Sequence, residues 1–290
     1  MSGVAALTAL LASLLWGTSD FLGGSAARRL PVASVLGVSQ LVALLSLVPL
    51  AAAVGAFDEP RAYVLPGVFA GLAGTVALGA FYRALATGTM GVVAPIAALG
   101  VAVPIALGLL DGERPGALKL VGMAVAVVGV VLASGPELSG RGRGGALPLI
   151  LAAVAALGFG AVLALVAAGS GGEQGTVGAV VMTLLTMRLA SVLALTALLL
   201  MLVRTRGAEL GVRRGDLPLL VTIGVFDVAA NGAFALASQS DLVSVVAVLA
   251  SLYPVVTVLF ARRFHAERLG GVQLGGITLA LTGVVVLAGG

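Results

Sequence analysis

Apolar runs of about 20 residues, separated by short polar breaks, recur ten times along the chain: 4–24, 32–54, 64–86, 91–110, 116–134, 146–168, 177–203, 217–237, 242–261 and 270–289. A helix rises about 1.5 Å per residue, so roughly 20 such residues cross a hydrocarbon core of about 30 Å. Barrel strands alternate over about ten residues, whereas these runs are longer and continuously apolar; in lipid their backbone groups must be satisfied internally. The pattern predicts an all-α polytopic membrane protein of ten transmembrane helices, with the lipid bilayer as its solvent. The longest breaks are about a dozen residues, too short for a soluble domain.

Composition agrees. Of 290 residues 60% are hydrophobic and 10% charged, with a mean hydropathy of +1.19, which excludes a water-soluble globule. No Lys or Arg precedes the first apolar run, so it reads as a retained helix rather than a cleaved secretory signal. Cysteine is absent, which excludes disulfides and thiol catalysis, and the single His265 builds no metal site unaided; no metal or cofactor is expected. The net charge of +4 comes from loop arginines and points to no nucleic-acid partner. The odd-numbered breaks hold twelve basic residues and the even-numbered ones three, so the positive-inside rule puts both termini outside the cell membrane.

The chain is also duplicated. A shift of 154 aligns residues 113–135 with 267–289, and ten of those 23 positions are identical. A shift of 150 to 151 superposes Ala84-Leu85-Ala86 on Ala235-Leu236-Ala237, then Val93, Ala97, Leu99 and Pro104 on Val243, Ala247, Leu249 and Pro254. Two five-helix repeats are expected, 1–138 and 139–290, joined within a Gly- and Ser-rich linker near 134–145. Five is odd, so the second copy enters the membrane inverted with respect to the first. Pro66, Pro148 and Pro218 fall in first turns, where a missing N–H costs nothing, but Pro95, Pro104 and Pro254 fall inside spans. Pro104 and Pro254 are the expected gating bends, since interrupted helices in matching halves point to a transporter's binding site.

Several segments carry a family resemblance: Leu14-Leu15-Trp16-Gly17-Thr18-Ser19 in the first helix, Tyr82-Arg83-Ala84-Leu85-Ala86 in the third, and the turns Asp111-Gly112-Glu113-Arg114 and His265-Ala266-Glu267-Arg268, each followed by a Gly-studded helix. The chain resembles the EamA-type family of the drug/metabolite transporter superfamily over nearly its whole length. The resemblance implies a secondary carrier of small metabolites, amino acids or drug-like compounds, often outward, monomeric or homodimeric. In the second copy Ala156-Leu157-Gly158-Phe159 stands opposite Leu15-Trp16-Gly17-Thr18 and offers no polar group.

Arg188 lies mid-span, where a lone cation costs about 3 kcal/mol or more by insertion scales unless paired or wetted. Asp227, near the centre of the next span, is its candidate partner, and Asn231 follows one turn later on the same face. The pair is either a structural lock between the seventh and eighth spans or part of a polar pathway. Asp20, Gln40, Tyr82 and Tyr253 complete the candidate substrate-binding set, with bonding between neighbouring helices the alternative role for Gln40, Asn231 and Tyr253. Glu113 and Glu267 fall where helices resume and are expected to cap them. The spacings Gly67/Gly71, Gly108/Gly112 and Gly271/Gly275 read as close helix packing rather than phosphate cradles, because no Lys or Ser/Thr follows in Walker fashion. With no ATP site in view, the energy source is a gradient, such as a proton's, or exchange for a counter-substrate. An enzyme is not expected, for HExxH, GxSxG and Asp-rich metal motifs are absent. A channel or a non-transporting scaffold is the alternative reading.

Overall fold

The computed structural model describes residues 3–133, 146–171, 175–206, 211–265 and 270–289. The linker at 134–145 and the second glutamate-bearing turn with Glu267 lie outside them. The described residues form helices and their connections: α1 Gly3–Ala27, α2 Val32–Ala53, α3 Val64–Thr87, α4 Met90–Ala98, α5 Ala102–Leu110, α6 Ala117–Ala133, α7 Leu147–Gly169, α8 Val177–Arg206, α9 Leu217–Ser238, α10 Val243–Ala250, α11 Tyr253–His265 and α12 Gly271–Gly289. Eight helical segments are long and apolar enough to cross a membrane, and shorter apolar helices occupy Ala117–Gly129 and Leu274–Gly283.

The packing is inside-out relative to a water-soluble bundle. On α1 the small residues Ala5, Ala9 and Ala12 are fully buried, while Val4, Leu7, Leu11 and Leu14 on the other face are about half exposed or more. Leucine gains nothing by leaving lipid, so helices in a membrane associate through close van der Waals contact of small residues and present their large ones outward.

Exchanging the halves carries the main packings into one another. Helix α1 lies along α9 and its counterpart α7 along α3; α2 meets α9 as α8 meets α3; α6 pairs with α12. At that last pair a Cβ added to Gly129 would come 2.2 Å from Ala280 N, and one added to Gly283 would come 2.4 Å from Ala126 N. Both residues of each contact are 154 positions from their mates, so one contact is made twice.

The structure corrects the alignment elsewhere. Gly160, not Gly158, takes the place of Gly17: Gly17 backs onto the Tyr253 carbonyl and Val256, and Gly160 onto the Gly100 carbonyl and Val103. The two partners are 153 positions apart in both cases. The offset of 151 holds at the ends of α3 and α9, but α4 follows α3 after Gly88 and Thr89, whereas α10 follows α9 after the four residues Gln239 to Leu242. Two extra loop residues therefore shift the register, and Pro104 and Pro254 do not correspond.

Nor do those prolines sit mid-helix. The fourth apolar run is interrupted at a 3₁₀ turn, Leu99–Val101, and the ninth at Ser251 and Leu252. Pro104 is the third residue of α5 and Pro254 the second of α11, first-turn positions where the absent N–H breaks no helical bond. Pro95 lies inside α4, and Pro49 inside α2.

Of the glycine pairs, Gly67 and Gly71 do admit a neighbour, with Thr186 and the Met187 carbonyl of α8 where their Cβ atoms would be. Gly271 and Gly275 have no described residue within 4 Å of where a Cβ would stand, and Gly112 has φ 96° in a turn, so among the described residues these pairs make no close helix packing. His265 is the last residue of α11 rather than a loop residue, its Nε2 2.9 Å from Ser25 Oγ at the end of α1.

Candidate functional site

Both helix breaks open onto one cavity of about 60 Å³. Ala97, Ala98 and Val101 line it from the first break, and Ala250, Ser251 and Tyr253 from the second. Among the candidates Asp20, Arg188, Asp227, Asn231 and Tyr253 line it, with Trp16, Phe159, Leu163 and Met187 supplying apolar wall. A water needs about 10–15 Å³ of such space, so this conformation has room for roughly four waters or one small solute.

Glycines set the backbone spacing that makes the polar cluster. A Cβ on Gly71 would come 2.3 Å from the Met187 carbonyl, so α3 and α8 touch beside Arg188, and Ser191 Oγ donates to the Gly71 carbonyl at 3.0 Å. A Cβ on Gly224 would come 2.3 Å from the Ser39 carbonyl, which brings α9 onto α2. One residue beyond Ser39 is Gln40, and three beyond Gly224 is Asp227.

These approaches close a network. Arg188 Nη1 donates to Gln40 Oε1 at 2.6 Å, Arg188 Nη2 lies 3.0 Å from Asp227 Oδ2, and Gln40 Nε2 donates to that same oxygen at 3.3 Å. Asn231 Nδ2 donates to Asp227 Oδ1 at 3.2 Å and to the Asp227 carbonyl at 2.8 Å. Gln40 therefore bridges the ion pair although it does not line the cavity, and Asn231 acts as the positioner of Asp227. Arg188 is 1% exposed and Asp227 7%. Breaking such a buried pair by removing one partner costs about 3–5 kcal/mol, because the survivor is left uncompensated.

Three cavity-lining groups keep unused hydrogen-bonding capacity. Among the described residues Arg188 Nε and the buried Tyr253 hydroxyl have no hydrogen-bond partner, and Arg188 Nη2 is engaged only by the Asp227 carboxylate. Asp20, 6% exposed, joins no hydrogen bond or ion pair among the described residues. Buried polar groups are ordinarily satisfied, so a donor cation, an acceptor carboxylate and a phenol left open around one cavity describe a place for a small polar guest.

The chemistry is less symmetric than the fold. Trp16 and Phe159 are 143 positions apart, as are Asp20 and Leu163, and all four line the cavity. The counterpart of the acidic position is thus a leucine. Tyr82 stands elsewhere, 2% exposed, its ring and hydroxyl filling the space where a Cβ of Gly23 would project. It packs α3 against α1 and does not line the cavity. Trp16, Phe159 and Ser251 were missed as lining residues; Trp16 sits four residues from Asp20 on the same helical face, the one signal that pointed to it.

The profile of the EamA-like transporter family matches residues 3–135 and again 146–289. A crystal structure of a protein 18% identical in sequence superposes with a TM-score of 0.71, covering 99% of this chain and 98% of that one, a likeness of fold alone. No curated protein matches the chain.

Proposed function

The chain belongs to the EamA-like transporter family, and from that premise we propose that it is a secondary carrier, an exporter or exchanger, of a small metabolite that bears an anionic group. The observation that carries this reading is Arg188, a buried guanidinium on the cavity wall whose Nε has no hydrogen-bond partner among the described residues and whose Nη2 is held only by Asp227. A guanidinium grips a carboxylate or phosphate at two points, and exchange between Asp227 and a substrate anion lets binding bias a conformational equilibrium. Asp20 and Tyr253 sit on the same wall and suit a donor group on the same solute, as in an amino acid or a small amino-bearing drug. Either a proton or a counter-substrate completes the cycle.

The scaffold in this reading is ten spans in two inverted repeats, related by a pseudo-twofold axis in the plane of the plasma membrane. The reciprocal contacts of Gly129 and Gly283 support it, as do the two broken spans meeting at one cavity. Broken helices at midplane leave backbone groups free for a guest and give each half a movable segment.

The test is flux in proteoliposomes made with the purified protein, using small carboxylated solutes first selected by thermal stabilisation. A carrier gives saturable uptake and counterflow, with affinity lowered in Arg188→Lys; conductance without counterflow would make the protein a channel.

A further inference from the structure

The turn after α5 reaches across the molecule. Helix α5 ends in a glycine-dependent reversal: Asp111 N–H donates to the Leu107 carbonyl at 2.8 Å, Gly112 takes φ 96°, and Glu113 N–H donates back to the Gly108 carbonyl at 2.9 Å. Gly112 permits the left-handed step that a side chain resists. Gly108 makes room for the glutamate's carboxylate, since a Cβ there would lie 2.5 Å from Glu113 Oε2. The chain is thereby folded so that the glutamate points away from its own next helix. It does not cap α6, as the sequence suggested. Its Oε1 accepts the Val243 N–H at 2.9 Å and its Oε2 the Ser244 N–H at 3.4 Å, capping α10 of the other repeat.

First-turn N–H groups have no partner within their own helix, and the helix dipole favours an anion there. A second contact lies alongside, Lys119 Nζ of α6 at 3.9 Å from Asp241 Oδ1 just before α10. Both contacts join the first repeat to the second, on the face where α6 starts and α9 ends. That face also carries Gly3 and Gly289, since α1 and α3 start there and α10 starts where α12 ends. Helix α10 has eight residues, a length of about 12 Å. Its outer end is the one held by Glu113, and its inner end, Ala250 with Ser251, is cavity wall where the helix is interrupted. A short rigid rod, hinged at the cavity and tethered at the surface, is the form of a gate.

We propose that Glu113 is the latch of this gate, a positioning residue that holds α10 shut over the cavity on the face bearing the chain termini. The proposal rests on the carrier reading for its purpose, but its test does not need a substrate. The chain has no cysteine, so Ser251→Cys gives a single reporter inside the cavity. Its labelling by a membrane-impermeant maleimide is measured in vesicles of each orientation. Adding Glu113→Gln should raise the labelling rate from the termini face by roughly two- to thirty-fold, the range that loss of a helix cap corresponds to, and leave the other face unchanged. Gly108→Ala crowds the carboxylate without altering charge and should give the same one-sided rise. An unchanged rate in both variants, or an equal rise from both faces, would overturn the latch, the latter marking general loosening. If labelling behaves as expected while the unmodified chain shows no flux, the latch stands and the carrier reading falls; if flux is present and labelling does not respond, the reverse holds.

Discussion

Arg188 and Asp227 have opposite degrees of satisfaction, and their mutants should differ accordingly. Asp227 is engaged at both oxygens by Arg188, Gln40 and Asn231, whereas the guanidinium keeps its Nε without a hydrogen-bond partner among the described residues. Arg188→Ala strands the carboxylate and should cost stability of the order of 3–5 kcal/mol. Removing both charges in Arg188→Ala with Asp227→Ala should recover most of that stability while flux stays lost; thermal unfolding and counterflow on the same preparation check both halves, and full flux in the double variant would leave the pair purely structural. Arg188→Lys retains charge without the planar fork, so substrate affinity should fall about tenfold or more with the fold intact. Asp20→Asn removes a charge that no described residue answers. It should leave thermal stability unchanged or raised, while the affinity for a solute bearing a donor group, read from the saturation of flux, falls.

At the scale of elements, glycine and proline act at sites the structure alone distinguishes. Gly129 and Gly283 carry the α6–α12 crossing, each within 2.5 Å, at its would-be Cβ, of the opposing backbone. Ala at either position should destabilise by about 1–3 kcal/mol, since backbone cannot yield as a side-chain tip can. The two costs should be similar, a chemical test of the twofold relation read out by thermal unfolding of the two single variants. Gly275 has nothing within 4 Å, and Ala there should be neutral or slightly stabilising. Pro254→Ala, at the second residue of α11, should leave flux within about a factor of two, because a first-turn position has no helical bond to restore.

For the whole molecule, the arginine bias and the duplication make one statement about orientation. By the positive-inside rule, twelve basic residues on the odd breaks against three on the even ones predict that the even breaks, the termini and the Glu113 latch lie outside. A reporter fused at the C-terminus should be active only when it is one that works outside the cytoplasm. Activity of a cytoplasmic reporter would turn the molecule over and place the latch on the inner face, with the fold and cavity unaltered. The chemistry of the cavity belongs to this scale too: the fold is nearly symmetric, but Leu163 answers Asp20 and Phe159 answers Trp16, so the two halves contribute different walls to one cavity.

The hydrophobic pattern by itself determined the helical class, the membrane as solvent, the approximate segments and the duplication, because each follows from residues adjacent in the chain: a span needs length and apolarity, and a repeat is read by offset. Mid-span charge likewise singled out Arg188 and Asp227, since an ion in lipid needs an answer wherever it lies. Tertiary structure decided what distant residues do to one another. It set Asn231 to holding Asp227, turned Tyr82 to packing on Gly23, carried Glu113 from its own helix to the end of another, and put the breaks beside the prolines rather than at them. Those outcomes depend on which helix faces approach and by how much, and in a membrane that is settled by small residues and backbone contact over the whole assembly. Two extra residues between α9 and α10 were enough to misalign the halves by sequence, whereas contact geometry, which registers neighbours rather than order, recovered the correspondence.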